Sequence, residues 1–131
     1  DGPPKMNQHS FAVVLFAHGS RDPLWRGPID AVAQEMRRQA PEVAVRCAFL
    51  ELTAPDLPSV VDALMQEGHQ AIRIVPMFLG VGRHAREDLP QLVTELRARH
   101  PQLSLQLCAP IGEHPALTRA MAQIALQPDG A

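Results

Sequence analysis

The chain has 131 residues, of which 46% are hydrophobic and 20% are charged, and its formal charge at pH 7 is −2. This composition is typical of one folded domain with a substantial core, and it excludes a disordered chain and a dedicated nucleic-acid-binding protein, which would carry a basic surplus. The longest apolar runs are too short to span a bilayer, so we predict no membrane segment.

Four apolar, β-branched runs bounded by turn residues predict strands at 11–17, 43–51, 71–79 and 103–109. Each run is followed by apolar residues at helical spacing, with Pro28 predicted in the opening turn of the first helix and Asp56 at the N-cap of the second. The four predicted apolar helix faces are Ile29, Val32, Ala33 and Met36; Leu57, Val60, Val61, Leu64 and Met65; Leu89, Leu92, Val93 and Leu96; and Leu117, Ala120, Met121 and Ile124.

Strands that alternate with helices predict a single three-layer α/β domain, in which right-handed crossovers cover both faces of a four-stranded parallel sheet. This arrangement is flavodoxin-like. We expect the domain to span residues 11–127, with short tails at 1–10 and 128–131. So small a parallel sheet leaves open edges, which favours pairing with another copy of the chain.

Three side chains that bind metals or transfer protons follow successive predicted strands. His18 follows the first strand, Glu51 ends the second and His84 follows the third, at intervals of 33 residues. Because ligands of open α/β sheets bind outside the carboxyl ends of the strands, we expect these residues in equivalent places at one edge of the sheet. Two imidazoles and a carboxylate suit a divalent first-row metal and leave positions open for a substrate.

Each of these residues also has a simpler interpretation. A single histidine after a strand is typical of a cap or a surface position, and a single loop glutamate is typically solvated; only their common spacing favours a site. His114 lies near the fourth such position, where a His-Pro pair is also typical of a helix start. We assign no functional role to His9, His69 and His100.

The same loops carry a set of arginines, Arg21, Arg26, Arg83 and Arg86. Arginine pairs bidentately with carboxylates, so this basic rim favours recognition of an acidic substrate, with ordinary solvated loop charges as the alternative. Ser20 lacks the GxSxG context of a hydrolase nucleophile, and we group it with the substrate-binding residues.

The segment GVGRHA, residues 80–85, matches a dinucleotide-binding pattern. It follows the third strand instead of the first, His84 is bulky, and no acidic residue ends the next strand. Phosphate binding at this helix start is therefore the alternative to a metal site. We expect Gly80 and Gly82 to let the backbone turn so that His84 faces the pocket.

Three segments together resemble the small CbiX-type sirohydrochlorin chelatases, relatives of the class II metal chelatases. They are FAHGSRDP (16–23), FLELTAPDLPSVVDAL (49–64) and VPMFLGVGRHAREDLP (75–90). The resemblance implies an enzyme that inserts Co²⁺ or Fe²⁺ into sirohydrochlorin, a carboxylate-rich tetrapyrrole, on the route to cobalamin or sirohaem. No organic cofactor is implied, because the divalent metal is itself a substrate.

The resemblance also implies roles for individual residues. His18 matches the family's HGSR histidine and His84 its GxGxH histidine, and both are implied to hold the metal and take protons from the pyrrole nitrogens. Glu51 matches the acidic residue of the ELxxP segment, as ligand or base. The resemblance further implies a homodimer with the macrocycle between subunits. The chain lacks the His-rich insertion of some short members, so a metal-storage role has no support.

Two alternatives to an enzyme stay open at this point: a binding module of the same fold that carries metal or tetrapyrrole without turnover, and a flavodoxin-like nucleotide or phosphate binder. Histidine and glutamate accept Co²⁺, Fe²⁺, Ni²⁺ and Zn²⁺ alike, so the residue types leave the metal open. Cys47 and Cys108 lie in apolar runs without a CxxC partner, and no secretory signal is visible. We therefore expect two buried reduced thiols and a cytoplasmic protein.

Overall fold

A parallel four-stranded sheet forms the centre of the molecule, in the order β2-β1-β3-β4. A computed structural model describes residues 11–129, so the predicted tail at 1–10 lies outside the described residues, as do the last two residues of the predicted tail at 128–131. The strands are β1 (Phe11–Ala17), β2 (Ala44–Phe49), β3 (Ala71–Pro76) and β4 (Ser104–Leu107), and the helices are α1 (Gly27–Gln39), α2 (Leu57–Gln66), α3 (Arg83–Arg99) and α4 (Pro115–Leu126). The predicted α/β class and parallel sheet are confirmed.

The carboxyl ends of three strands differ from the prediction. β1 occupies the predicted residues 11–17, whereas β2, β3 and β4 end at Phe49, Pro76 and Leu107, two or three residues earlier than expected. The apolar character continues past the last strand pairing because Leu50 and Phe78 leave the sheet and line a cavity at its edge. Hydrophobicity there reflects the cavity and does not mark the end of the strand.

The sheet separates two apolar layers. Helices α2 and α3 pack on one face, where Val14, Ile74 and Val93 are fully buried. Helix α1 packs on the other face, where Ala33 meets Val13 and Leu15. Because β1 and β3 are neighbours whose following helices lie on opposite faces, the chain leaves these two strands in opposite directions.

Local signals in the sequence begin three of the helices as predicted. Pro28 lies in the first turn of α1, and the Asp56 carboxylate accepts a hydrogen bond of 2.9 Å from the Ser59 amide at the start of α2. His114 caps α4, since its Nδ1 accepts a hydrogen bond of 3.0 Å from the Ala116 amide. The helix-start interpretation of His114 is therefore confirmed.

The predicted apolar face of the fourth helix is only partly buried: Leu117, Ala120 and Met121 are half-buried, whereas Ile124 is exposed. No residue of α4 is buried, and its main contacts are with the short 3-10 turn Ile111–Glu113 that precedes it. Ile124 is 52% exposed and Leu126 is 81% exposed. Within residues 11–129, the apolar face of α4 is thus covered only in part. None of the helices in this part of the chain is long and apolar enough to cross a membrane.

Candidate active site

A cavity of about 550 Å³ opens at the carboxyl end of the sheet, a volume typical of small-molecule sites. It lies between the loop that follows β1 and the loop that follows β3, where the chain leaves two neighbouring strands in opposite directions. Open α/β sheets bind ligands at such a point. The floor is apolar, formed by Phe16, Phe78, Leu89 and Leu92, and the polar side chains stand at the rim.

His18 and Glu51 face each other at this rim. The distance between His18 Nε2 and Glu51 Oε1 is 3.5 Å, and the two side chains are 58% and 54% exposed. The backbone sets this proximity, because the Glu51 amide donates a hydrogen bond of 3.1 Å to the His18 carbonyl and thereby continues the pairing of β1 with β2. The structure thus brings together an imidazole and a carboxylate that solvent and a ligand can both reach.

The loops that carry this pair are packed against each other. Gly19 has a φ of +105°, and a Cβ built on it would lie 1.7 Å from the Glu51 carbonyl oxygen. Glycine is therefore required at this position. The Ser20 amide donates a hydrogen bond of 2.9 Å to the Thr53 hydroxyl, which donates one of 2.7 Å to the Ser20 carbonyl.

His84 lines the same cavity from the first turn of α3. The expected equivalence of the three candidate ligands is wrong: His18 directly follows β1 and Glu51 is two residues past β2, but His84 is eight residues past the end of β3. Across residues 11–129, no group of three His, Cys, Asp or Glu side chains is close enough together to hold one metal ion. The metal-ligand assignment of His18, Glu51 and His84 stays a prediction.

The arginines of the predicted rim are dispersed. Arg83 lines the cavity and also pairs with Glu87 at 3.3 Å, whereas Arg86 lines a smaller neighbouring cavity of about 150 Å³ together with Cys108 and Glu113. Arg21 is exposed and does not line the cavity. Their assignment to substrate binding stays a prediction.

Arg26 and Ser20 are held by neighbours of their own. Arg26 donates two hydrogen bonds to Asp30, at 2.9 and 3.1 Å, and stacks over the Phe49 ring at 4.8 Å. The hydrogen bonding to Asp30 raises the pKa of the Arg26 guanidinium. The Ser20 hydroxyl accepts a hydrogen bond of 3.1 Å from the Asp22 amide. Neither residue lines the cavity.

The glycines of GVGRHA have a different role from the expected one. Neither Gly80 nor Gly82 has a positive φ, and a Cβ at either position would meet no atom within 4 Å. The backbone turn before α3 therefore does not require glycine. Both residues line the cavity, so their missing side chains leave its wall open.

Some cavity residues were not predicted. Asp88 adds a second carboxylate to the lining, and Leu89 and Leu92 were assigned to the core face of a helix. Their signal was the helical spacing itself, which places residue 88 one turn and residue 92 two turns after His84 on the same side of α3. Leucines on the surrounding loops are exposed, Leu79 at 68% and Leu52 at 53%.

A family model described as CbiX matches residues 12–127. A sirohydrochlorin cobaltochelatase of Methanococcus aeolicus is 33% identical over 82 residues, which are 63% of this chain and 57% of that protein. A sirohydrochlorin ferrochelatase of Priestia megaterium is 30% identical over 103 residues, 77% of this chain and 38% of that protein. The chain thus spans about half the length of these curated relatives: the match covers 57% of the Methanococcus protein and 38% of the Priestia protein.

A solved structure has the same fold over nearly its whole length. The crystal structure of a cobalamin biosynthesis CbiX protein from Marinobacter aquaeolei superposes with a TM-score of 0.78 and is 30% identical. The match covers 88% of this chain and 93% of that one. The cavity described above therefore lies in a fold that these proteins share.

Proposed function

Because this chain belongs to the CbiX family, we propose that it inserts a divalent metal, Co²⁺ or Fe²⁺, into sirohydrochlorin for cobalamin or sirohaem biosynthesis. The names of its relatives support this activity. In the chain itself, one observation carries it: the His18–Glu51 pair, 3.5 Å apart at the rim of an apolar cavity. The apolar floor can pack against the face of a macrocycle, and the imidazole and carboxylate of the pair can accept protons from its N–H groups.

Metal insertion exchanges one M²⁺ ion for the two pyrrole N–H protons, with no change of oxidation state and hence no need of an organic cofactor. The enzyme must accept those protons. Imidazole does so near neutral pH, and the Glu51 carboxylate beside it stabilises the imidazolium that forms. We assign His18, with Glu51 as its partner, as the acceptor of one proton and His84 as the acceptor of the other, since all three side chains line the cavity.

The metal is a substrate that must be delivered and released. His18, Glu51 and His84 are the proposed donors, with His84 on α3 and the other two on the opposite loops. Since the three are not gathered into one cage, few protein atoms hold the ion at once, and the ring nitrogens complete its coordination. Such a site suits Co²⁺, Fe²⁺ or Ni²⁺ and allows the ion to leave.

The substrate's carboxylates are the proposed partners of the arginines. Arg83 is best placed, since it lines the cavity and its ion pair with Glu87 is exposed, 81% and 63% for the two side chains. An exposed ion pair is weak and exchanges its partner readily. Arg21 and Arg86 would engage carboxylates farther from the ring centre. To bind a substrate carboxylate, Arg26 would first have to break its hydrogen bonds to Asp30. Ser20 would contribute to substrate binding only by holding its loop in place.

We also propose a homodimer with the macrocycle between the subunits. Helix α4 has no buried residue, and the match to the Priestia relative covers only 38% of that protein, which therefore has further chain outside the match. A second copy of this chain would supply the equivalent surface for α4. Cys47 and Cys108 are free and half-buried, which supports a reducing, cytoplasmic location.

The test is anaerobic addition of Co²⁺, and then Fe²⁺, to sirohydrochlorin with and without protein, followed by the absorbance of the macrocycle. We expect acceleration by the wild type and its loss in His18→Ala and His84→Ala. His114→Asn, which keeps an N-cap on α4, is the matched histidine control and should retain the wild-type rate. Metal or tetrapyrrole binding without acceleration by either metal would identify a carrier. Ligand binding that survives His84→Ala and is competed by phosphate would identify a phosphate site.

A further inference from the structure

We propose that Thr53 is a positioning residue that holds the His18–Glu51 pair in register by tying together the two loops that carry it. The inference rests on the proposed function. Thr53 lies two residues after Glu51, and Ser20 lies two residues after His18. A contact between Thr53 and Ser20 therefore joins the two loops beyond the His18–Glu51 pair, on the side away from the strands.

The Thr53 hydroxyl uses both of its hydrogen-bonding capacities on the same residue of the other loop. It accepts from the Ser20 amide at 2.9 Å and donates to the Ser20 carbonyl at 2.7 Å, and both contacts are partly buried. Within residues 11–129, no other side chain of either loop makes a hydrogen bond to the backbone of the other loop. The clamp is thus a property of one oxygen atom.

The clamp also stabilises an unfavourable backbone. Leu52 has a φ of +65°, and the Thr53 amide donates a hydrogen bond of 2.7 Å to the Glu51 carbonyl across it. A three-residue turn with positive φ at a non-glycine residue is strained and persists only where its surroundings impose it. Leu52 is 53% exposed, so burial of its side chain does not compensate for the strain. The hydrogen bonds of Thr53 compensate for it: the amide bonds to the Glu51 carbonyl, and the hydroxyl bonds to the Ser20 backbone.

Release of this turn would move Glu51. The Glu51 carbonyl accepts a hydrogen bond from the Thr53 amide, and the Glu51 amide donates one to the His18 carbonyl. Glu51 therefore belongs both to the turn at Leu52 and to the backbone contact that holds the pair. The side chains themselves are more than half exposed. The His18 ring packs edge-on against the Phe78 ring, with 6.3 Å between the ring centroids, so the separation of 3.5 Å depends chiefly on where the loop places Glu51. Displacements of about 1 Å at a reacting group reduce turnover strongly, so the effect should appear in kcat.

The experiment compares Thr53→Val, which keeps the shape but loses the hydroxyl, with Thr53→Ser, which keeps the hydroxyl. Thr94→Val is the matched control, because its hydroxyl bonds only to the Pro90 carbonyl within α3, at 2.9 Å. In the cobalt insertion assay we expect Thr53→Val to lower kcat about tenfold with KM for sirohydrochlorin within about twofold, and Thr53→Ser to recover most of it. Wild-type kcat in Thr53→Val, or equal losses in the Val and Ser variants, would overturn the proposal.

A second readout separates this inference from the proposed function. The imidazole Cε1–H signals of the histidines are recorded by NMR in the free proteins, well below their unfolding temperature. Thr53→Val should shift and broaden the His18 signal while leaving His114 unchanged, and Thr53→Ser should resemble the wild type. An unchanged His18 signal contradicts the positioning role even if the wild type is an active chelatase. A shifted His18 signal with no wild-type chelation refutes the function and retains the clamp. Thr53→Ala is recorded in parallel, so that a Val variant that does not fold still leaves the hydroxyl tested.

Discussion

Gly19 lies so close to Glu51 that a single added carbon would overlap the Glu51 carbonyl oxygen, at 1.7 Å. The loop after β1 can therefore reach the loop after β2 only without a side chain at this position. The same approach lets the Glu51 amide bond to the His18 carbonyl at 3.1 Å. A backbone contact, with no charge involved, brings the imidazole and the carboxylate of the candidate site together.

Gly19→Ala should destabilise the fold. The new methyl group must displace the Glu51 backbone, and φ of +105° is unfavourable for alanine, so we expect the free energy of unfolding to fall by about 3 kcal/mol. Urea denaturation measures this. Gly27→Ala is the control, since a Cβ there meets no atom within 4 Å in the first turn of α1. Equal urea denaturation midpoints for Gly19→Ala and Gly27→Ala would show that the two loops can move apart without loss of stability.

Gly80→Ala should change substrate binding but not the fold. A Cβ at Gly80 meets nothing within 4 Å and its φ is not positive, so the free energy of unfolding should change by less than about 0.5 kcal/mol. Gly80 lines the cavity, and the methyl group would occupy space there that the proposed substrate needs. We expect KM for sirohydrochlorin to rise about threefold, at unchanged kcat. An unchanged KM would mean that the macrocycle does not approach this part of the wall.

Asp56 should stabilise the protein in a pH-dependent way. Hydrogen bonding to Ser59 holds the pKa of the Asp56 carboxyl below its usual value of 3.8. The stabilisation is therefore complete above that usual value and is lost as the pH falls through the lower pKa of the folded state. At neutral pH, Asp56→Ala should cost about 1 kcal/mol of unfolding free energy, as for other N-caps.

Asp56→Asn provides the control for this titration. Asparagine is also a good N-cap but does not ionise, so its advantage over alanine should stay constant down to acidic pH. Urea denaturation of the three proteins across the acidic range separates the two behaviours. If the difference in unfolding free energy between the wild type and Asp56→Ala stays constant at acidic pH, as is expected for Asp56→Asn, then ionisation of Asp56 makes no contribution.

Helix α4 should form part of the proposed dimer interface. Ile124, 52% exposed on a helix without buried residues, is the test position, and Val32, 39% exposed on α1, is the control. Sedimentation velocity should show a wild-type dimer, with Ile124→Asp raising the dissociation constant about tenfold or more and Val32→Asp leaving it unchanged. A dimer that tolerates aspartate at 124 would place the interface elsewhere.

The sequence patterns predicted those features that short segments determine. The apolar run 11–17 became β1 without a change of boundary, and Asp56 and Pro28 begin their helices as expected because caps act within one helical turn. The parallel sheet followed from the alternation of strands and helices, since crossover handedness leaves few topologies. The cavity residues His18, Glu51 and His84 were all identified, although not their arrangement.

Features that depend on contacts between distant segments could not be predicted. The equal 33-residue spacing suggested equivalent ligands, but the spacing does not reveal that the chain runs on for several residues between β3 and α3 before His84. Arg26 was predicted to be a free rim charge because the Phe49 ring over which it stacks comes from a distant strand; its pairing with Asp30, four residues on, is local. Thr53 gave no signal, since a small polar residue in a loop is ordinary until its partner is known.

The close approach of the two loops has a consequence for how this site changes over evolutionary time. With Gly19 against the Glu51 carbonyl and Thr53 bonded to the Ser20 backbone, neither loop can gain or lose a residue without displacing the other. A change of length in one segment therefore has to be matched in the other, although 33 positions separate them. The loop after β3 is tied elsewhere, because the Gly112 amide donates a hydrogen bond of 2.9 Å to the Phe78 carbonyl and a Cβ at Gly112 would lie 2.0 Å from the Leu79 carbonyl oxygen. Substitution in that loop is least constrained at Gly80 and Gly82, where an added Cβ meets no atom within 4 Å.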